Sequence, residues 1–434
     1  MKEPQVSKNK GIVRFEIPVT DINPLDWLAW QDQAFKTYWS TGDGQFEMAG
    51  AGTADLISGD ESFQFKTLLD RIHKNLAASS TGVRYYGGTR FDGKQKAGTS
   101  WQRFGAYAFV VPQFEVVRRK DELRFACNFR NNGENGFQKI QSALQKIRFE
   151  HTEKRPKEII LIDRKDLPAK IDWVKDIKRA LREFNSGKLQ KVVLARKSVF
   201  RFSQNLEPLS LLKALKNANP RAFHFYFQPE NKLAFLGATP ERLYHRLGRE
   251  IRSDAVAGTR PRGKTAQEDA HFRHELLSSD KDRREHEFVF QWVRDVLTKM
   301  CETLQFDSKA TIIQQPAVQH LHRHFNGVLR ESISDGDLLA GLHPTPAVGG
   351  FPTKLAMENI ARNEPFDRGW YAGPVGWIGH DEAEFAVAIR SGLVDGARLS
   401  LFSGAGIVPE SNPLSEWDEI ESKISNFLII MNRH

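Results

Sequence analysis

Strand-length apolar runs follow one another in this chain with links too short to hold a crossover helix, and that spacing restricts the possible sheets more than any other feature. Residues 104–117, FGAYAFVVPQFEVV, read as one or two strands with a turn at Pro112, and DELRFACNFR (121–130) supplies another strand directly after. Residues 222–227 and 233–237 have hairpin spacing. Parallel neighbours need a connection of roughly a dozen residues or more, so these links point to mixed or antiparallel sheets. QKVVLARKSVF (190–200) and residues 383–390 and 398–403 add further strands. Helical periodicity marks 171–187, with Trp173, Ile177, Ala180, Leu181 and Phe184 on one stripe and Gly187 as a stop. It also marks 266–277 and 286–300 on either side of the link SSDKDRR, 353–363 after Pro352, and 414–430, where Trp417, Ile420, Ile424, Phe427 and Leu428 align.

A core of that size needs apolar material, and 30 Phe and 9 Trp in 434 residues supply it without disulfides. Trp27, Trp30 and Trp39 are expected to pack rather than react. Cys127 and Cys301 could pair, but a secreted disulfide framework normally shows more cysteines. The N-terminus has no apolar signal region and no apolar run approaches the roughly 20 residues that span a bilayer, so cytoplasmic location and no membrane partner are expected. The net charge of +9 comes from dispersed basic residues interleaved with acids, as in KDRREHE. That pattern argues against a nucleic-acid surface and suits either a plain solvated basic face or an excess of charge that attracts a small anionic substrate. The charged stretch HTEKRPKE (151–158) is expected to be a surface connection.

Several residues could carry chemistry, and each has a plainer reading. Lys191, among apolar strand residues on the face of Val193 and Ala195, is either a snorkelling surface lysine or a desolvated base. Glu241, after Thr239-Pro240 at a strand end, is either a surface turn or a carboxylic acid in a cleft. Glu285 follows SSDKDRR, where a helix dipole alone would favour an acid. Glu416, Glu419 and Lys423 share a helix face and form either a surface Glu–Lys set or part of a Mg2+ site. The glycine-rich segments AVAGTRPRG (255–263) and SGAGIVPES (403–411) are candidate anion loops. Arg390, at the end of an apolar strand, would be costly to bury without an anion. The histidines of VQHLHRH (318–324) invite a zinc reading, which no cysteine or third ligand at a matching spacing supports.

Nine segments in order, KVVLAR, GATPERL, AVAGTRPRG, LLSSDKDRREH, LHPTPAVGGFP, RGWYAGPVGW, AVAIRS, SGAGIV and SEWDEIESK, resemble the chorismate-utilising enzymes, a family that includes isochorismate, salicylate and anthranilate synthases and aminodeoxychorismate synthase. The resemblance covers roughly residues 165–430 and implies a large single α+β domain of two facing mixed or antiparallel β-sheets, with helices packed outside and the site between layers. It implies residues 1–160 as a β-rich part of the scaffold and 161–434 as the chorismate-binding region. Carried over, Lys191 matches the water-activating base and Glu241 the general acid. Glu285 and Glu419 match Mg2+ ligands, with Glu416 close by. Tyr371, Arg390, Gly404, Gly406 and Lys423 match positions that hold substrate carboxylates, and Gly258, Thr259 and His320 match other site positions. Lysine at 191, where anthranilate synthases carry glutamine, and Ala257, where aminodeoxychorismate synthases carry lysine, disfavour the amination branches. LHPTPAVGGFP looks like the isochorismate synthase version. The implied enzyme is a monomeric, Mg2+-dependent isomerase making isochorismate, with a lean towards menaquinone synthesis over salicylate or siderophore routes, and no glutamine amidotransferase subunit. A non-enzymatic basic binding protein is the competing class.

Overall fold

The short links produce antiparallel pairing throughout. The computed structural model describes residues 11–130, 140–150, 159–185, 187–314 and 318–431, so the stretch 151–158 lies outside the described residues. Every strand pairing within them is antiparallel, in one sheet of twelve strands and another of ten. The sheets face each other. Phe46 of the first lies against Trp377 of the second with ring centroids 4.9 Å apart, and Trp39 of the first donates to Glu384 of the second at 3.3 Å. Trp101, Phe104, Phe235 and Trp370 meet largely edge-on in the same layer, the arrangement ring quadrupoles favour. Strands before residue 131 enter both sheets: Lys36–Ser40 and Phe46–Ala51 the first, Asp55–Gly59 and Tyr85–Thr89 the second. One continuous buried core therefore makes a single α+β domain.

Two chain crossings between the sheets position the site. Leu233–Thr239 belongs to the first sheet and Arg242–Leu247 to the second, so the chain changes layer over Pro240 and Glu241. Glu382–Val387 belongs to the second sheet and Ser391–Asp395 to the first, so the next crossing is Ala388–Arg390. The crossings lie side by side, because Leu233–Thr239 pairs with Ser391–Asp395 and Arg242–Leu247 pairs with Glu382–Val387. Backbone bonds bridge them, Val387 N to Glu241 O at 3.0 Å and Ala238 N to Arg390 O at 3.2 Å. Arg390 turns the corner at φ 51°, a left-handed conformation uncommon for a side-chain-bearing residue. It thus lies beyond its strand, not at the strand's end.

Helices cover the outer faces. The last helix, Pro413–Met431, packs on strand Arg398–Ile407 and on helix Lys170–Phe184, where Trp417 meets Trp173. The fully buried Arg196 guanidinium stacks 3.9 Å over the Trp417 ring and pairs with Glu421 at 2.6 Å, which fixes the helix rotation. The segment read as a link, SSDKDRR, is mostly helix: Ser279 caps Asp280–Met300, and Asp280 and Asp282 occupy its first turn, where the dipole favours acids. The two glycine-rich segments are strand as far as Pro261 and Ile407, within Glu250–Pro261 and Arg398–Ile407, so Gly258, Gly404 and Gly406 lie on strands and not in loops. Lys191 is the first residue of strand Lys191–Phe202. Cys127 and Cys301 are both buried and unpaired.

Candidate active site

Lys191 is completely buried, and its Nζ lies 2.9 Å from Glu285 Oε1. The pairing depends on Gly406, on the strand beside Lys191–Phe202. A Cβ at that position would lie 2.4 Å from Glu285 Oε1 and 3.1 Å from Lys191 Cε. We therefore expect Gly406→Ala to fold with a near-normal melting temperature, because the obstructed atom ends a flexible side chain, while turnover falls by at least about tenfold. Steady-state kinetics beside a thermal melt checks this, and unimpaired turnover would contradict it.

Glu241 sits at its crossing between the layers and is 5% exposed. Thr345 Oγ1 donates to its Oε1 at 3.2 Å. Burial pushes the carboxyl from 4.5 up to about 7, against the Thr345 bond and the charge of Lys191, so at neutral pH a large share holds its proton. Arg390, at the adjacent crossing, has no hydrogen bond or ion pair to a side chain among the described residues; burial lowers its pKa, while Glu419 and Tyr371 raise it. The Tyr371 hydroxyl lies where a Cβ on Gly404 would be 3.1 Å away, so glycine there keeps room for the ring.

On the final helix, Glu419 Oε1 accepts from Lys423 at 2.7 Å, and Lys423 also donates to Gly404 O at 3.0 Å. One turn earlier, Glu416 is buried and its Oε1 accepts from Lys281 at 2.7 Å. Burial raises the Glu416 carboxyl, and its Oε2 is buried without a hydrogen bond. Lys281 stands four residues before Glu285 on helix Asp280–Met300, and Glu285, Glu416 and Glu419 all act on its charge. His320 Nδ1 contacts Thr259 Oγ1 at 3.0 Å and Gly258 O at 3.1 Å. A carbonyl only accepts, so Nδ1 carries the proton, and Nε2 is left as a buried acceptor with no partner. Burial, with Arg390 and Lys423, holds the ring neutral, its pKa down at about 3. Gly258, at φ 69°, forms the bulge where the register between strands Glu250–Pro261 and Val318–Leu329 shifts.

All thirteen sequence-proposed positions thus lie in one chain of contacts and charge interactions, running from Lys191 through Glu285, Lys281, Glu419, Lys423 and Arg390 to Tyr371, Glu241 and His320. Sequence reading did not single out Thr345 or Lys281. Both lie inside quoted motifs, and Lys281 could have been found from its helical spacing to Glu285. A profile of the chorismate binding enzyme family matches residues 1–432. The chain belongs to the chorismate binding enzyme family. Among relatives, a chloroplastic isochorismate synthase of Catharanthus roseus is 31% identical over 99% of this chain and 83% of its own length. The salicylate biosynthesis isochorismate synthase of Pseudomonas aeruginosa is 33% identical over 93% of this chain and 87% of its own. The solved menaquinone-specific isochorismate synthase of Escherichia coli superposes with a TM-score of 0.87 at 27% identity, covering 97% of this chain and 95% of that one.

The donor set also fits the Mg2+ that the family resemblance implies. Three carboxylates on two helices surround the charge of Lys281, and one keeps a buried oxygen without a partner. They do not close into a cage: the glutamates are not among the described groups with three ligand atoms within 4.8 Å of one another. An open set suits Mg2+, which keeps waters and takes few protein carboxylates.

Proposed function

We propose that this family member is an isochorismate synthase, an isomerase that adds water at C2 of chorismate and expels the C4 hydroxyl. The observation that carries the reading is a buried Lys191 whose charge acts on proton-holding Glu241, beside an unpaired Arg390. Lysine at 191 and alanine at 257 favour water over ammonia as the nucleophile.

In this reading Lys191 takes a proton from the water that attacks C2, and Glu241 gives its proton to the oxygen leaving C4, so one water enters and one leaves. Lys191 Nζ is engaged with Glu285 Oε1, so that contact must open before Nζ can take a proton from water. Arg390 and Tyr371 clamp a carboxylate, Lys423 and the backbone at Gly404 and Gly406 complete that wall, and neutral His320 with Thr259 and Gly258 offers Nε2 to a hydroxyl. Glu285 and Glu419 would hold Mg2+ directly and Glu416 through water, and the bound ion would position the ring carboxylate and offset its charge. The enzyme would act as a cytoplasmic monomer without an amidotransferase subunit. We assign the product to menaquinone synthesis.

Arg390→Ala is expected to raise the KM for chorismate by about 10–100-fold, the worth of a charge-assisted hydrogen-bond pair, without lowering the melting temperature. An unchanged KM would remove Arg390 from the clamp. Incubation of pure protein with chorismate and Mg2+, with products separated by chromatography, tests the reaction. Isochorismate is expected. Salicylate and pyruvate as main products would move the enzyme to the salicylate synthases, and anthranilate formed with ammonia would overturn the argument from Lys191 and Ala257.

A further inference from the structure

A second cluster of ligating side chains lies outside the reaction site. His322 and His324 are two apart on strand Val318–Leu329 and so face the same side. Asp254, on the neighbouring strand Glu250–Pro261, is the register partner of His324. His322 Nε2 lies 3.0 Å from Asp254 Oδ1, and His324 Nδ1 lies 2.5 Å from the same oxygen. The two rings stand perpendicular with centroids 4.1 Å apart. One ligand atom from each residue falls within 4.8 Å of the other two, and no other such trio occurs among the described residues.

We propose that Asp254, His322 and His324 form a binding site for a Zn2+-class transition-metal ion, with His322 Nε2, His324 Nδ1 and a carboxylate oxygen of Asp254 as ligands. Zinc bonds of about 2.0–2.2 Å place the ligand atoms of a tetrahedron roughly 3.4 Å apart. The nitrogen–oxygen separations present here need open by less than about 1 Å to reach that edge. Imidazole nitrogens select zinc and its neighbours over Mg2+, which prefers oxygen alone. On binding, each neutral ring turns its lone pair to the ion at the nitrogen that now faces Asp254 and carries its single N–H on the other nitrogen, and a ring that starts doubly protonated releases one proton to solvent.

The surroundings suit a metal. Asp254 is nearly buried, while the His324 side chain is 54% exposed, which leaves an entry path and a coordination position for water. Arg242 Nη1 lies 3.6 Å from Asp254 Oδ2 and orients the carboxylate with Oδ1 towards the rings. Its charge is offset by buried Glu384, 3.4 Å from Arg242 Nε, while Asp307 accepts the His324 amide at 3.0 Å and adds a negative charge beside that ring. His286, on the helix packed over this sheet, is held neutral by burial and adds no charge. The site joins two strands and sits two residues from His320, so a bound ion would stiffen the strand that presents His320 to the reaction site. Sequence spacing hid the third ligand, since Asp254 precedes His322 by 68 residues.

The test is zinc retention by the full-length protein after incubation with Zn2+ in excess Mg2+, which occupies the glutamate set, followed by desalting and elemental analysis. Wild type is expected to keep one zinc per chain, and Asp254→Asn and His324→Ala about a tenth of that or less. Zn2+ should raise the melting temperature of wild type and leave that of His324→Ala unmoved. His324 is half exposed, so its alanine variant folds and turns over chorismate as wild type does, which separates this inference from the proposed reaction. Wild type eluting without zinc, or His324→Ala retaining as much as wild type, would overturn the site.

Discussion

Lys191→Ala lowers chorismate turnover by about 10²–10⁴-fold, the range that a positioned general base contributes, while the protein still folds. Lys191 is fully buried, so no surface lysine replaces it. Its loss frees the Glu285 carboxylate, which is 17% exposed and remains under the influence of Lys281, so no isolated buried charge is left behind. Circular dichroism and a thermal melt establish the fold, and kcat with chorismate reads the role. A folded variant with near-normal kcat would remove Lys191 from the chemistry.

Glu241→Gln is expected to cost a similar factor of about 10²–10⁴ in kcat, because the amide keeps the shape and the Thr345 bond but cannot release a proton. Its stability moves the other way. The folded chain holds the Glu241 proton up to about pH 7, whereas the unfolded chain releases it near 4.5. Between those values the native state binds more protons, so wild-type stability falls as pH rises. The total is on the order of 3 kcal/mol. Glutamine does not ionise, so the variant lacks this loss and becomes more stable relative to wild type as pH rises towards neutral. Denaturant melts across pH measure the difference, and parallel profiles for the two proteins would contradict the burial of this acid. Wild-type kcat/KM should also decline above about pH 7, where Glu241 loses its proton.

The sequence was informative wherever a single element carried the signal. Short links narrowed the sheets to mixed or antiparallel, and the stripe of Trp417, Ile420 and Ile424 showed the last helix, with Glu416, Glu419 and Lys423 at spacings that place them together. What periodicity does not contain is the layer each strand joins. The crossings that put Glu241 and Arg390 side by side follow from pairings between strands more than a hundred residues apart, and the corner at Arg390 reads in sequence as a plain continuation of AVAIR. The Lys191–Glu285 pair spans 94 residues and depends on the absent side chain of Gly406, so neither partner announces the other. Gly258 and Gly406 stand out in the sequence only as members of glycine-rich segments; that one forms a bulge and the other leaves room for Glu285 follows from pairings the sequence does not display.

Water addition at C2, with Lys191 taking the proton, is tested most directly by running the reaction in H2(18)O with Mg2+ and stopping it within the first turnover. The account predicts isochorismate carrying one labelled oxygen, at the C2 hydroxyl. Isochorismate formed without label, its hydroxyl carried over from C4 of chorismate, would contradict it.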